Sequence, residues 1–313
     1  MKMPLVSVIV PNYNHARYLN QRIQSVLNQT YDNYELIILD DKSSDNSVEV
    51  IEQYRENPHV SHIVVNEENS GSTFIQWNRG FELAKGEIIW IAESDDYCEP
   101  NLLECLVKEY VSHPGCVVAY CSSQYVDSEG QLMKTDKEGD YPVYFYTGAK
   151  FIEQKLAFGC AIWNASSAIF SKTAALSIDR QYQSYKACGD RLFWMEMAEK
   201  GNIVHVNQML NYFRQHQNKV SPKRFRDGTS LKEEYSIYSY QRQNRYLKNG
   251  FRLAFILSLY YGKIANGEFE NESIKKELIQ LWRFDSKSKI VFIDLLSRLY
   301  IYYNLYVSHR KPL

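Results

Sequence analysis

The feature that most constrains the fold is a repeated change of hydrophobic period along the first part of the chain. Short apolar runs rich in β-branched residues alternate with stretches such as Ala16–Gln29, in which apolar residues recur at helical spacing. Continuous apolar runs are typical of parallel strands buried on both faces. The repetition therefore predicts an α/β fold with a mostly parallel sheet flanked by helices on both faces. The five predicted strands are Leu5–Val10, Tyr34–Leu39, His62–Val65, Glu87–Ala92 and Val117–Ser122.

The alternation stops after the fifth strand and resumes only in part. The stretch Gln124–Thr147 is rich in Gly, Asp and Tyr, and this composition leaves open either a hairpin or an active-site flap. Beyond it we predict a strand at Ser167–Phe170, a helix at Arg191–Lys200 and a strand at Ile203–Asn207.

The last part of the chain differs in charge and composition. Residues 231–313 carry 14 Lys+Arg and 8 Asp+Glu, a net charge of 14 − 8 = +6, whereas residues 1–230 carry 22 − 29 = −7. Ten of the 25 tyrosines lie in this basic region. We therefore predict an α/β domain at 1–230 and a separate helical region at 231–313. The helices predicted in it are 231–248, 251–265, 271–283 and 288–307.

Charge and hydropathy exclude several classes of protein. A net charge of −1 and a pI of about 6.7 argue against a nucleic-acid binder. No apolar run approaches the ~18–20 residues that a membrane-spanning helix needs. The first residues lack the features of a signal peptide, and the six cysteines show neither C-x-x-C pairs nor zinc-ligand spacing. These observations predict a cytoplasmic protein.

Polar side chains follow three of the predicted strands where each strand ends. They are Pro11–Asn14 after the first strand, Asp40–Asp41 after the second and Glu93–Asp96 after the fourth. In open α/β sheets, ligands bind in the crevice beyond the carboxyl ends of the strands. Carboxylates that converge there repel each other unless a cation compensates them, and Mg²⁺ binds such groups together with substrate phosphates. The pattern favours a metal–nucleotide site over a set of helix caps and solvated loop residues.

The usual phosphate-binding loops are missing from the sequence. It contains neither G-x-G-x-x-G nor G-x-x-x-x-G-K-[ST]. The first strand ends instead in Pro11, which has no backbone N–H to donate to a phosphate. A dinucleotide dehydrogenase and a P-loop NTPase are therefore both poor fits, and a bound diphosphate would need a metal to neutralise it.

Six motifs in register give the chain a resemblance to a known family. The sequence from residue 4 to about 220 resembles family-2 glycosyltransferases of the GT-A (Rossmann-like) fold, of the bacterial cell-surface polysaccharide type. The motifs that carry the resemblance are VSVIVPNYN (6–14), SVLNQTY (25–31), YELIILDDKSSD (34–45), NRG (78–80) with GEII (86–89), SDD (94–96) and GDRLFW (189–194).

The resemblance implies a nucleotide-binding set at the strand ends. Tyr13 would stack on the uracil of a UDP-sugar, and Asp41 would accept the uracil N3–H. Pro11 and Asn78 would line the nucleotide, and Asp95 would lie beside the ribose and the hydration shell of the metal.

The resemblance also implies a divalent metal, Mn²⁺ or Mg²⁺, bound through the diphosphate. Asp96 would be its ligand, with Asp95 and His216 as further ligand positions. Glu93 stands where many relatives have the first Asp of a D-x-D motif, and this departure leaves the role of Glu93 open.

Asp190 matches the general-base position of the family. It would take the proton from an acceptor hydroxyl as that oxygen attacks C1 of the donor sugar, inverting the anomeric centre. A second interpretation, compatible with the first, is that Asp190 caps the helix that begins at Arg191. Trp163 and Trp194 would shape the acceptor pocket.

These expectations describe a metal-dependent inverting glycosyltransferase. It would use a nucleotide-diphosphate donor, most simply a UDP-sugar, and a glycan or lipid-linked acceptor. The alternatives are a sugar-nucleotide pyrophosphorylase and a nucleotide-sugar-binding assembly protein without turnover. Residues 231–313 would pack on the α/β domain, form a homodimer or make a peripheral contact with the inner face of a membrane.

Overall fold

The computed structural model describes residues 3–136, 138–216, 220–247 and 250–282. The chain divides into two compact units. The first, here called the sheet unit, comprises Met1–Ser184 and Gly189–Asn218; the second, the helical unit, comprises Tyr185–Cys188 and Lys219–Leu313. The predicted domains, 1–230 and 231–313, stay predictions. The predicted helix at 288–307 lies outside the described residues.

The strands of the described residues all belong to the sheet unit. They are β1 (Val6–Asn12), β2 (Tyr34–Asp40), β3 (Val60–Val65), β4 (Ile88–Ile91), β5 (Tyr97–Cys98), β6 (Cys116–Val126), β7 (Leu132–Thr135), β8 (Val143–Tyr146), β9 (Ala168–Ser171) and β10 (Asn202–Arg214).

The α-helices of the described residues are distributed over both units. Those of the sheet unit are α1 (Ala16–Leu27), α2 (Ser47–Glu52), α3 (Thr73–Leu83), α4 (Leu102–Ser112), α5 (Gly148–Phe151), α6 (Lys172–Leu176) and α7 (Gly189–Lys200). Those of the helical unit are α8 (Val220–Arg226), α9 (Thr229–Gln243), α10 (Gly250–Asn266) and α11 (Glu272–Leu281). Short non-α helical turns occupy Ile152–Leu156, Ala165–Ser167 and Arg180–Ser184.

The main sheet has the strand order β3-β2-β1-β4-β9-β6-β10-β5. Strands β3, β2, β1 and β4 are parallel to one another, and β6 is parallel to β10. Strand β9 is antiparallel to both of its neighbours, β4 and β6. The predicted α/β fold class is confirmed, with a sheet that is mixed around β9.

The core strands are buried because helices cover them. Every residue of β1 and β2 is buried, as continuous apolar runs predict. Helix α1 turns Leu19, Ile23 and Val26 inward at helical spacing. Helix α3 approaches β1 so closely that a Cβ at Gly80 would lie 2.6 Å from Cγ2 of Ile9.

Two strands extend further than predicted, and both extensions run toward the edge where the polar motifs gather. Strand β10 continues to Arg214 instead of ending at Asn207, and β6 continues to Val126. The stretch Gln124–Thr147, which was compatible with either a hairpin or a flap, contains β7 and β8. Strand β7 forms a hairpin with β6, and β8 pairs with β10.

The helical unit has its own aromatic core. Trp282 donates its indole N–H to the carbonyl of Leu231 at 3.1 Å, and Tyr260 stacks on its ring at a centroid distance of 4.4 Å. Among the residues that the structure describes, no helix has the length and apolar character required to cross a membrane.

Candidate active site

The acidic turn Glu93–Asp96 follows β4 at the carboxyl edge of the sheet. A buried arginine on α1, Arg22, donates from Nε to the carbonyl of Glu93 at 2.8 Å. The backbone N–H of Glu93 donates to Ser166 Oγ at 3.0 Å. The turn is therefore fixed from two sides before any ligand binds.

Two histidines lie against the carboxylate of Asp95. Nε2 of His216 is 2.9 Å from Asp95 Oδ2, and Nδ1 of His15 is 2.8 Å from Ser94 Oγ. One ligand atom from each of His15, Asp95 and His216 lies within 4.8 Å of the others. Two imidazole nitrogens and one carboxylate oxygen suit Mn²⁺ better than Mg²⁺, which prefers oxygen ligands. This donor set fits the metal that the sequence implied.

Burial and charge set the protonation of this cluster. Burial lowers the pKa of His15; the carboxylate of Asp95 opposes this effect, and His216 adds to it. Burial alone would raise the pKa of Asp95, but the bond from His216 and the nearby His15 outweigh it and lower the pKa. Neutral imidazole beside ionised carboxylate is the state that binds a metal ion.

Glu93, the first residue of the acidic turn, has a raised pKa, unlike Asp95. Burial raises the pKa of Glu93 to about 8, the charge of Asp95 adds to the rise, and a hydrogen bond from the indole of Trp77 opposes it. Trp77 Nε1 donates to Glu93 Oε1 at 3.0 Å. In the absence of a cation, Glu93 is therefore the carboxyl group of the turn that most readily holds a proton.

Asp96, predicted as a metal ligand, is occupied by protein donors. Its side chain is buried, and its Oδ1 accepts the backbone N–H of Arg214 at 2.9 Å. Its Oδ2 accepts Ser166 Oγ at 2.8 Å and the amide of Asn164. Burial and the charge of Asp95 raise its pKa. Among the described residues, the side chains that could hold a metal ion together are His15, Asp95 and His216. The contacts of Asp96 favour a role in holding the turn, and its role as a metal ligand stays a prediction.

Arg214 ties the end of β10 to the same turn. Its buried guanidinium donates from Nε to the carbonyl of Asp95 at 2.8 Å and from Nη2 to Gln21 Oε1 at 2.7 Å. It also lies over the ring of Tyr18, with Cζ 4.6 Å from the centroid. These contacts place His216, two residues further on, beside Asp95.

The predicted nucleotide-binding residues lie on β1, β2 and the loops after them. Pro11 is buried opposite Leu39, whereas the side chain of Tyr13 is 49% exposed, as a ring that stacks on a ligand must be. Asn14 follows with φ of 56°, a left-handed conformation that Asn tolerates. Its side chain accepts the backbone N–H of Ser44 at 2.7 Å, which joins the two loops.

Asp41 organises the loop that precedes α3. Its Oδ1 accepts hydrogen bonds from Asn66 Nδ2 (2.6 Å), the backbone N–H of Ser70 (2.9 Å) and Gln76 Nε2 (2.8 Å). Its Oδ2 accepts Ser70 Oγ at 2.8 Å. Oδ1 is thus saturated by protein donors, and Oδ2 keeps room for a further donor.

Two further predicted site residues are buried. Asn78 donates to the carbonyl of Phe74 (2.8 Å) and to Tyr182 Oη (2.6 Å), so its amide joins α3 to the turn before α7. Trp194 is 1% exposed and packs edge-on against Phe170 and Phe193. The nucleotide-binding role of Asn78 and the acceptor role of Trp194 stay predictions.

Asp190 and Trp163 occupy positions compatible with a reaction. Asp190 is partly exposed in the first turn of α7, which begins at Gly189, and its Oδ1 accepts the backbone N–H of Arg191 at 2.8 Å. Cys160 Sγ lies 4.0 Å from its Oδ2. Trp163 is 55% exposed and precedes Asn164, the residue bonded to Asp96. The segment around Trp163 therefore connects the surroundings of Asp190 and Asp96.

Several residues of the site escaped prediction. Arg22 and Asn164 lie in no chemical motif, and a lone His15 after a strand carries no distinctive signal. Of these three residues, His15 lies next to a strand end, three residues after β1, and this position could have indicated it.

The profile of the family described as "Glycosyl transferase family 2" matches residues 7–170, which is more than half of the chain. The chain belongs to this family. The matched stretch contains Tyr13, Asp41 and the acidic turn.

Several bacterial proteins are similar in sequence to this glycosyltransferase. It is 35% identical over 154 residues to the glycosyltransferase GlyG of Streptococcus pneumoniae, covering 49% of this chain and 47% of GlyG. It is 27% identical to the chondroitin synthase of Escherichia coli over 66% of this chain and 28% of that protein. The chain thus spans less than half of these relatives. It is 26% identical to TuaG of Bacillus subtilis, whose name assigns it to teichuronic acid biosynthesis. That match covers 75% of this chain and 87% of TuaG.

Solved structures share the fold at low identity. Staphylococcus aureus TarS 1–349 in complex with UDP-GlcNAc matches with a TM-score of 0.58 and 18% identity, covering 95% of this chain and 91% of TarS. The mannosyltransferase PcManGT of Pyrobaculum calidifontis, in complex with GDP-Man and Mn²⁺, matches with a TM-score of 0.53 and 15% identity. The match covers 97% of this chain and 87% of PcManGT. These likenesses establish the GT-A glycosyltransferase fold.

Proposed function

We propose that the protein transfers a sugar from a nucleotide-diphosphate donor to a hydroxyl of a glycan or lipid-linked acceptor, with inversion at C1. The observation that carries the proposal is the His15–Asp95–His216 cluster at the carboxyl edge of the sheet, next to the exposed ring of Tyr13. Family membership and relatives named for polysaccharide synthesis support it.

Mn²⁺ is the cofactor that this donor set favours, and Asp95 with the two histidines would hold it. Such an ion supplies Lewis-acid stabilisation of the negative charge on a departing diphosphate. Asp96 and Arg214 would hold the acidic turn in place for it. This assignment replaces the direct role of Asp96 expected from the sequence.

The donor we propose is a UDP-sugar. Tyr13 would stack on the base, and Oδ2 of Asp41 would accept the N3–H of uracil, because in the described residues it accepts one hydrogen bond, from Ser70. TarS was solved with UDP-GlcNAc, which agrees with this choice, whereas PcManGT was solved with GDP-Man.

Asp190 would be the general base. It would remove the proton of the acceptor hydroxyl while that oxygen forms a bond to C1 and the bond from C1 to the diphosphate breaks. Trp163, as an exposed aromatic ring, would offer a flat apolar surface to an acceptor sugar. The cytoplasmic location, the homodimer and the membrane contact of residues 231–313 stay predictions.

The proposal is tested by measuring nucleoside diphosphate release from UDP-GlcNAc, UDP-glucose, UDP-galactose and GDP-mannose, each with Mn²⁺ and with EDTA. Each donor is assayed with added glycan acceptors and with water alone as the acceptor. The wild type should release UDP from at least one UDP-sugar only when Mn²⁺ is present. Asp190→Asn should lower that rate ~10²–10⁴-fold, the usual contribution of a general base, with unchanged donor affinity.

Binding of UDP without release from any donor, with the same behaviour in Asp190→Asn, would contradict the proposal. That outcome would support a binding protein without turnover. Formation of a nucleotide-sugar from a sugar phosphate and UTP would instead support a pyrophosphorylase.

A further inference from the structure

Three consecutive backbone amides immediately before α7 donate to one carboxylate. Oε1 of Glu233 accepts the N–H of Lys186 at 2.6 Å, and Oε2 accepts the N–H groups of Ala187 and Cys188 at 2.9 and 2.8 Å. Glu233 lies on α9 of the helical unit, and the three amides belong to the same unit. The side chain of Cys188 makes a further contact with the helix, 3.6 Å from the carbonyl of Ser230.

This arrangement is stronger than an ordinary loop contact. Hydrogen bonds to an ionised carboxylate are shorter and stronger than neutral ones, and three donated together fix the orientation of successive peptide planes. Consecutive N–H groups that converge on an anion form a concave nest, and here a side chain of the protein itself occupies it. The carboxylate of Glu233 therefore determines the path of the chain through residues 186–188.

The next two residues are Gly189 and the proposed base, Asp190. Gly189 is packed so tightly that a Cβ there would lie 2.5 Å from the carbonyl oxygen of Tyr182 and 2.6 Å from Cε2 of Phe74. Asp190 in turn accepts the N–H of Arg191. The chain has little freedom between the amides held by Glu233 and the base, so a shift of those amides moves Asp190.

We propose that Glu233 is a positioning residue for the general base. It acts by holding the 186–188 amides and so setting where α7 begins. The inference rests on the proposed function, because a base matters only if the chain transfers sugar to a hydroxyl.

The decisive variant is Glu233→Gln, which keeps the shape of the side chain and replaces one acceptor oxygen with a donor. Its matched control is Glu277→Gln, because Glu277 makes an exposed ion pair with Lys232 at 2.8 Å in the same unit. We expect kcat for UDP release from the best donor to fall ~10–10²-fold in Glu233→Gln, with KM for the donor unchanged, since small displacements of catalytic groups have effects of that size. Glu277→Gln should keep the wild-type kcat.

A double variant separates positioning of the base from general support of the fold. If Glu233 acts through Asp190, Glu233→Gln should lower kcat in the wild type and leave kcat of Asp190→Asn unchanged. Equal losses in both backgrounds, or a wild-type kcat in Glu233→Gln, would overturn the inference. If Glu233→Gln fails to fold, Glu233→Asp, which keeps the charge one methylene shorter, takes its place.

Hydrogen exchange tests the contact of Glu233 with the 186–188 amides and does not depend on enzyme activity. The amides of 186–191 should exchange at least ~10-fold faster in Glu233→Gln than in Glu277→Gln. Unchanged exchange at Gly189–Arg191 would overturn the inference even if no donor is turned over, whereas absent release by the wild type would overturn the proposed function alone.

Discussion

At the scale of single residues, Arg22 shows how the acidic turn tolerates its own charge. Its side chain is fully buried, Nε donates to the carbonyl of Glu93, and Nη2 lies 3.9 Å from Asp96 Oδ2. A buried carboxylate is costly unless a cation is near. Arg22 therefore offsets part of the repulsion among the acidic groups before a metal binds.

Replacement of Arg22 by Met should be strongly destabilising. Arg22→Met keeps the apolar length of the side chain but leaves the buried carboxylates without their cation, for which we expect a loss of about 3–5 kcal/mol in the free energy of unfolding. Arg17 on the same helix is the control: it pairs with Glu129 at the surface, so Arg17→Met should lower the free energy of unfolding far less than Arg22→Met. Urea unfolding measures both, and equal losses would contradict the role given to Arg22.

Site residues that follow strands were easier to predict from the sequence than site residues on buried helices. Asp95 and His216 follow strand ends, and the structure brings them together. Trp194 and Asn78 lie on helices, and no pattern tells which polar or aromatic side chain of a nearly all-buried helix faces a ligand. Asp96 is adjacent to Asp95, yet their carboxylates make different contacts, Asp95 with His216 and Asp96 with Asn164 and Ser166.

At the scale of elements, α7 carries a buried acid as well as the proposed base. Glu196 lies within a run of buried residues, and its Oε2 has no hydrogen-bond partner among the described residues. Burial raises its pKa to about 8, with smaller contributions from the charges of Asp179 and Glu199. Because the folded state binds this proton more tightly than the unfolded chain, stability falls as pH rises from about 4.5 to about 8.

Glu196→Gln should remove that pH dependence. We expect the variant to be more stable than the wild type at pH 8 by about 1–2 kcal/mol, less than the full shift would give because water screens part of the charge, and equally stable near pH 4.5. Thermal unfolding between pH 4.5 and pH 8 measures the difference. The control is Glu56→Gln, at an exposed residue, which should show the same dependence of stability on pH as the wild type. If the stability of Glu196→Gln also changed with pH as the wild type does, the prediction would be wrong.

Elements were predicted more reliably than their pairing. Continuous apolar runs located β1, β2 and β4, because strands buried on both faces have a distinctive composition. The antiparallel insertion of β9 between β4 and β6 is set by tertiary packing, which a local pattern does not encode. The same reason explains why β10 was predicted to end at residue 207 although it continues to Arg214.

At the scale of the whole molecule, the sheet gathers distant parts of the sequence at one edge. His15, Asp95 and His216 are separated by about 200 residues of chain, and parallel β1 and β4 together with the long β10 bring them to one cluster. The helical unit adds Glu233, which holds the segment before the proposed base. The family profile matches residues 7–170, so Glu233 lies outside the matched stretch.

A metal held by Asp95 and the two histidines should strengthen the binding of a nucleoside diphosphate. The measurement is a calorimetric titration of UDP into the wild type, Asp95→Asn and Asp96→Asn, each with and without Mn²⁺. We expect Mn²⁺ to tighten UDP binding to the wild type and to Asp96→Asn by at least ~10-fold, and to have no effect on Asp95→Asn. The same gain with Mn²⁺ in Asp95→Asn as in the wild type would show that Asp95 does not hold the metal.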